Sequence, residues 1–183
     1  TPKPSSAASD VYKRQPVDLD QLLENYVNNY NLTHPNASIV YSGANSPVLT
    51  MASDYRVEQM MDKIMDNALD FHRKDTTIRV QLDKIDNLLR ITVANRGRIL
   101  SPSVENSLFD SMVSHRDQHN RLHFGLGLYV VRVIAEHHGG HVRAVNLSDN
   151  SGVAVVVQLP IQDNLFNLET GKASKKPDTQ IAS

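Results

Sequence analysis

The apolar positions of this chain fall into blocks of helical spacing separated by blocks of alternation. Leu19, Leu22, Leu23, Tyr26 and Val27 recur at three and four residues, which places them on one face of a helix opening at Val17-Asp18-Leu19-Asp20. Asp18 stands where a carboxylate can accept from the free amides of the first turn, so it is the expected cap. Segments 38–42 and 48–52 read as a strand pair across Gly43-Ala44-Asn45-Ser46-Pro47. A long helix is expected from Asp54, as its cap, to about Phe71, with Val57, Met60, Met61, Ile64, Met65 and Ala68 turned inward. Segments 77–82 and 88–94 alternate as strands joined by 83–87. A short helix at 104–109 and a polar loop at 110–124 follow. The last helix is expected over 125–138, with Leu126, Val130, Val133, Ile134 and His137 on its packing face and Gly139 as a left-handed cap. A final hairpin, 141–146 with 153–159, stops at Pro160. Helices and strand pairs come in blocks rather than in βαβ alternation. The predicted fold is therefore α/β of the α+β kind, a two-layer sandwich with helices on one face of a mostly antiparallel sheet.

The ends break this pattern. Residues 1–16 are rich in Pro, Ser and Ala without periodicity, and 5–15 resemble translated adapter sequence, so 1–16 is expected to be a disordered or non-native extension. Residues 17–160 form the expected domain, and 161–183 a flexible tail. A net charge of −1 argues against nucleic acid as a partner, and zero cysteines exclude disulfides and thiolate metal sites. No apolar run approaches the roughly 18 residues of a membrane span, and no secretory h-region is visible; the chain is still compatible with the soluble part of a longer membrane protein.

Four segments could carry chemistry. In Gly125-Leu126-Gly127-Leu128 a small-residue turn runs straight into a helix, whose free amides and dipole suit phosphate. A tight turn with no ligand has the same signature. Lys63, Asn67 and Asp70 share the polar face of the long helix, where the Asn67 oxygen could ligate Mg²⁺; a solvated charged face would look alike. Asn95 ends a strand just before Gly97, so its side chain could bond a base edge, or simply mark a strand-to-loop turn. The loop at 110–124 holds His115, Arg116, His119, Arg121 and His123, cations able to neutralise polyphosphate. The four-residue histidine spacing is a weaker pointer to a metal, since a closed zinc site needs four ligands and no Cys is present.

Taken in order, these segments resemble the ATP-binding domain of bacterial sensor histidine kinases, within the GHKL superfamily that includes gyrase-type ATPases. The likeness runs from about Val17 to Pro160: an asparagine helix, a strand-Gly turn, Leu108-Phe109-Asp110, a variable lid, Gly-Leu-Gly-Leu, a helix ending Gly-Gly, and a closing hairpin. Leu108-Phe109-Asp110-Ser111-Met112-Val113-Ser114 and Lys63-Ile64-Met65-Asp66-Asn67-Ala68 are most similar to kinases of proteobacterial dedicated sortase systems. The resemblance implies a Bergerat fold with ATP held between helices and lid. It makes Asn67 the Mg²⁺ ligand and Asn95 the residue facing the adenine amino group. Gly97 becomes the first glycine of that box, and Arg116 the lid cation near the γ-phosphate. Gly125, Leu126, Gly127 and Leu128 form the second glycine-rich box, and Asp70 and Ile99 fall at further nucleotide-contact positions.

Several positions depart from the family pattern. Asn95 replaces an Asp, which keeps an acceptor but turns a charge-assisted bond into a neutral one. Ile99 and His123 stand where glycines are usual, and Asp70 where kinases commonly have a base. Lys63 occupies the position at which gyrase-type enzymes have a water-activating carboxylate. The resemblance thus implies a kinase with negligible hydrolysis, since imidazole is itself the nucleophile. The implied function is transfer of the ATP γ-phosphoryl group to a histidine on a separate dimerisation domain, with a response regulator downstream. The parent would be a homodimer in the bacterial inner membrane with this domain in the cytoplasm. No acceptor-type helix is legible before Val17, so the acceptor is expected elsewhere. The alternatives are a nucleotide-binding pseudoenzyme or regulatory module, or another GHKL kinase such as an anti-sigma serine kinase.

Overall fold

The computed structural model describes residues 14–44, 46–105, 108–110 and 126–161. Its elements are β1 (Gln15–Asp18), α1 (Leu19–Thr33), β2 (Ser38–Ser42), β3 (Leu49–Ala52), α2 (Asp54–Phe71), β4 (Thr77–Ile85) and β5 (Leu88–Arg96). They continue with the single turn α3 (Pro102–Glu105), then α4 (Leu126–His137), β6 (His141–Asn146) and β7 (Gly152–Pro160). A five-stranded sheet has the order β2-β4-β5-β7-β6, antiparallel throughout except for the parallel β2–β4 pair. The inward rows of β4 and β5, Ile78, Val80 and Leu82 with Leu89, Ile91 and Val93, share one core with the buried faces of α1, α2 and α4. This is the expected two-layer arrangement.

Asp18 caps α1 as expected, its carboxylate accepting from the amides of Asp20 and Gln21. Two further bonds fix α1 to its surroundings. The Tyr26 hydroxyl donates to Asp62 on α2 at 2.8 Å, and the Tyr41 hydroxyl donates to Asp20 at 2.5 Å. Burial, reinforced by the Asp62 carboxylate, holds the Tyr26 phenol protonated far above its ordinary range.

Five expectations are corrected. The segments 38–42 and 48–52 are not a pair: β2 runs parallel to β4 in the large sheet, whereas β3 pairs with β1 in a separate two-stranded sheet. Gln15 and Pro16, set aside with the first 16 residues, lie in β1 and face Ala52 and Met51. Ser53 rather than Asp54 is the N-cap of α2, and the short helix lies at Pro102–Glu105 rather than 104–109. On α4 the packing face is turned from the expected one, because Leu128, Val131, Ile134 and Ala135 are buried while Val133 and His137 are exposed.

The end of α4 is a Schellman cap: the Gly139 amide donates to Glu136 and the Gly140 amide to Ala135, with Gly139 at φ +77. His138, buried at this cap, joins two helices. Its Nε2 accepts from the Ser53 amide at the start of α2 (3.2 Å), so Nδ1 carries the proton donated to the Ile134 carbonyl (2.8 Å). Burial lowers its pKa from the ordinary 6.5, and the nearby Arg14, His137 and Arg56 lower it further. The folded state therefore keeps His138 neutral where the unfolded chain takes up a proton. Its contribution is full above the unfolded value and is lost as pH falls from about 6.5 toward the lower folded value. Denaturant titrations across this window should show stability falling with acid in the native sequence and a flatter profile in His138→Gln. Equal slopes would contradict the assignment.

Candidate functional site

The polar face of α2 carries Lys63, Asn67 and Asp70 at successive turns, opposite the buried Met60, Ile64, Met65 and Ala68. Lys63 and Asn67 are half-buried and Asp70 is exposed. The Lys63 ammonium pairs with Asp66 at 3.6 Å, which leaves its aliphatic stem lying toward α4. There it meets the first turn of that helix, since a Cβ placed on Gly127 would stand 3.8 Å from Lys63 Cδ. Gly127 thus lies beside the aliphatic stem of Lys63, with Asn67 one helical turn further along the same face of α2. The amino end of α4 presents amides that lack helical partners, the electrostatic complement of an anion.

The second wall is the end of β5. Asn95 follows Leu89, Ile91 and Val93 on the row facing the helices and is 6 % exposed. Its Nδ2 is buried and finds no hydrogen-bond partner among the described residues. That is a donor held in the interior without its usual compensation. Just beyond, Gly97 bridges to His72 at the carboxyl end of α2, and its amide donates to Ser151 at 2.9 Å. The Arg73 amide donates to the Arg96 carbonyl at 2.6 Å, so strand end and helix end are stitched together. Ile99 is exposed in the loop that follows. That loop is pinned to β6 by the Asn146 carboxamide, whose Oδ1 accepts from the Leu100 amide (2.8 Å) while its Nδ2 donates to the Leu100 carbonyl (3.0 Å).

The structure thus brings Lys63 over Gly127 and joins the Asn95–Gly97 strand end to the helix bearing Asn67. Leu128 is buried in the core, so its side chain packs and only its backbone faces other uses. Leu126 is the first residue of α4. Arg116, Gly125, the histidines at 115, 119 and 123, Arg121 and the 111–114 part of the sortase-system motif lie outside the described residues. Among the described residues no group of three His, Asp or Glu side chains is placed to hold a metal. The Asn67 carboxamide offers one oxygen of the kind that Mg²⁺ accepts from protein. Sequence reasoning missed the Asn146 clasp and the ion pair between Arg132 of α4 and Asp110 (2.8 Å), which ties the far end of the 108–110 turn to α4. Neither pair has a local signature, as each joins residues far apart in the chain.

The family model described as "Histidine kinase-, DNA gyrase B-, and HSP90-like ATPase" matches residues 52–163. Among curated proteins, sensor protein DltS of Streptococcus agalactiae serotype V is 30% identical over 115 residues, covering 62% of this chain and 29% of DltS. The chain therefore spans less than a third of that relative. Among solved structures, the catalytic domain of histidine kinase ThkA superposes with a TM-score of 0.70 at 20% identity, covering 81% of this chain and 96% of that one. A second ThkA structure, solved in complex with the response regulator TrrA, gives a TM-score of 0.68 at 18% identity, covering 81% of this chain and 42% of that one.

Proposed function

Because the chain belongs to the histidine kinase-, DNA gyrase B- and HSP90-like ATPase family, we propose that it binds Mg-ATP for transfer of the γ-phosphoryl group to a histidine on a separate dimerisation domain. The observation that carries this reading is the placement of Lys63 over Gly127, with Asn67 one turn away on the same helix face. In this reading the first amides of α4, with the Gly125-Leu126-Gly127-Leu128 box, receive the phosphates and Asn67 lends its oxygen to Mg²⁺. Asn95 faces the base, and Gly97, Ile99 and Asp70 border the nucleotide. Mg²⁺, when bound, supplies charge neutralisation at the phosphate oxygens. Lys63 adds a second positive charge from the protein side, and Arg116 a third.

A response regulator is the proposed downstream partner, by analogy with ThkA, which has been solved with TrrA. The proposed parent is a homodimeric kinase of the inner membrane, with this domain on the cytoplasmic side. No helix among the described residues is long and apolar enough to cross a membrane.

Transfer to imidazole requires positioning and charge neutralisation but no activated water. An ammonium at position 63 has no lone pair with which to take a proton from water. The purified chain should consequently release phosphate from ATP at a negligible steady rate, whereas with an acceptor domain supplied it should form an acid-labile phosphoprotein. A brisk steady-state ATPase, or an acid-stable phosphoprotein, would overturn the proposal.

A further inference from the structure

We propose that Asn95 broadens the choice of base, so that the site takes guanine nucleotides as well as adenine nucleotides. This rests on the nucleotide-site reading above. Asn95 is 6 % exposed, sits on the helix-facing row of β5, and holds a buried Nδ2 with no partner among the described residues. The strand end cannot swing to relieve it, because the Arg96 carbonyl is held by the Arg73 amide and the Gly97 amide by Ser151. An orphaned interior donor is satisfied when a ligand brings an acceptor.

The chemistry of the two purine edges then decides selectivity. Adenine presents an amino donor beside the N1 acceptor; guanine presents the O6 acceptor beside the N1–H donor. A carboxamide presents its NH₂ donor group beside its carbonyl acceptor, and turning it over about its terminal bond exchanges their places. Asn95 can therefore match either edge. A carboxylate at this position has acceptors only, so it pairs with the adenine amino group and sets lone pairs against guanine O6.

Calorimetric titration of this chain with Mg·ADP and with Mg·GDP tests the inference. The two dissociation constants are expected within about tenfold of each other. In Asn95→Asp the preference for ADP should rise by on the order of 10- to 100-fold, the usual discrimination of one good base-edge contact. Discrimination against GDP of about 100-fold or more by the native sequence, with ADP bound, would overturn the inference and leave the nucleotide site standing. Binding of neither nucleotide would overturn both. The native ratio decides the matter even if the buried carboxylate prevents the variant from folding.

Discussion

Asn67→Ala is expected to fold like the native chain and to lose most of its magnesium-dependent nucleotide affinity. Asn67 is half-buried on the polar face of α2, while the packing of that helix comes from Val57, Met60, Met61, Ile64, Met65 and Ala68. Alanine is also the best helix former, so the substitution removes the proposed ligand oxygen without weakening the helix. Mg²⁺ takes one or two protein oxygens and leaves the remainder to phosphate and water, so losing its protein anchor matters more than losing one of many. Neutralisation of transferring phosphate by a metal is worth several kcal/mol, with about 1.4 kcal/mol per tenfold, so a loss of at least about 100-fold in phosphoryl transfer is expected. Titration with ADP in magnesium and in chelator separates this from a general defect: the native chain should lose affinity on chelation, and the variant should show little further loss. Asn67→Asp retains an oxygen ligand and should retain most of the magnesium response. Unchanged affinity and unchanged metal dependence in Asn67→Ala would place the metal elsewhere.

The same helix shows why some of the fold was legible and some was not. The α2 stripe has one clear phase, because charged residues such as Glu58, Asp62, Asp66 and Asp70 interrupt it at helical spacing and mark the other faces. Its inward residues were predictable and are the buried ones. The α4 segment is apolar nearly all round, with Leu126, Leu128, Val130, Val131, Val133 and Ile134 in nine residues. Both the expected 126/130/133/134/137 face and a 128/131/134/135/138 face satisfy helical spacing there; Ile134 belongs to both, and packing against α2 and the sheet selects the second. Strand existence was likewise readable at 38–42 and 48–52, but strand partnership was not. The parallel β2–β4 pairing and the β1–β3 pairing join residues separated by an entire helix. Alternation records a half-buried strand and carries no information about its neighbour.

The site divides in the same way. Lys63, Asn67 and Asp70 were visible because helical spacing alone places them on one face. Asn95 and Gly97 were visible because a polar residue and a glycine interrupt a strand of Leu, Ile and Val. The proximity of Lys63 to Gly127 is a tertiary fact, as is the clasp of Asn146 on Leu100. His138 is instructive: one of two adjacent histidines is a buried link between helices and the other is exposed. Only the register of the Schellman cap distinguishes them.

Gly97→Ala is expected to damage both stability and the nucleotide site. A Cβ on Gly97 would overlap the carbonyl oxygen of Phe71 and come within 3.4 Å of the Arg73 amide nitrogen, both backbone atoms at the end of α2. Side chains can turn aside; these groups cannot without opening the Arg73–Arg96 and Gly97–Ser151 hydrogen bonds and the bridge to His72. Overpacking of this kind costs about 1–3 kcal/mol, and each net hydrogen bond lost adds about 1 kcal/mol. A destabilisation of roughly 2–4 kcal/mol, or about 5–15 °C in Tm, is expected. The displacement also separates Asn95 from the helix that carries Asn67, so nucleotide affinity should fall in whatever fraction remains folded. Gly127→Ala supplies the contrast. Among the described residues its new methyl would meet only the Lys63 stem, at an ordinary 3.8 Å, and alanine favours the helix. That variant should melt at or above the native temperature while binding nucleotide less well, because the methyl occupies the proposed phosphate cradle itself. If Gly97→Ala melted like the native chain, or if Gly127→Ala bound nucleotide unchanged, the close approach at the strand end or the phosphate cradle respectively would be wrongly placed.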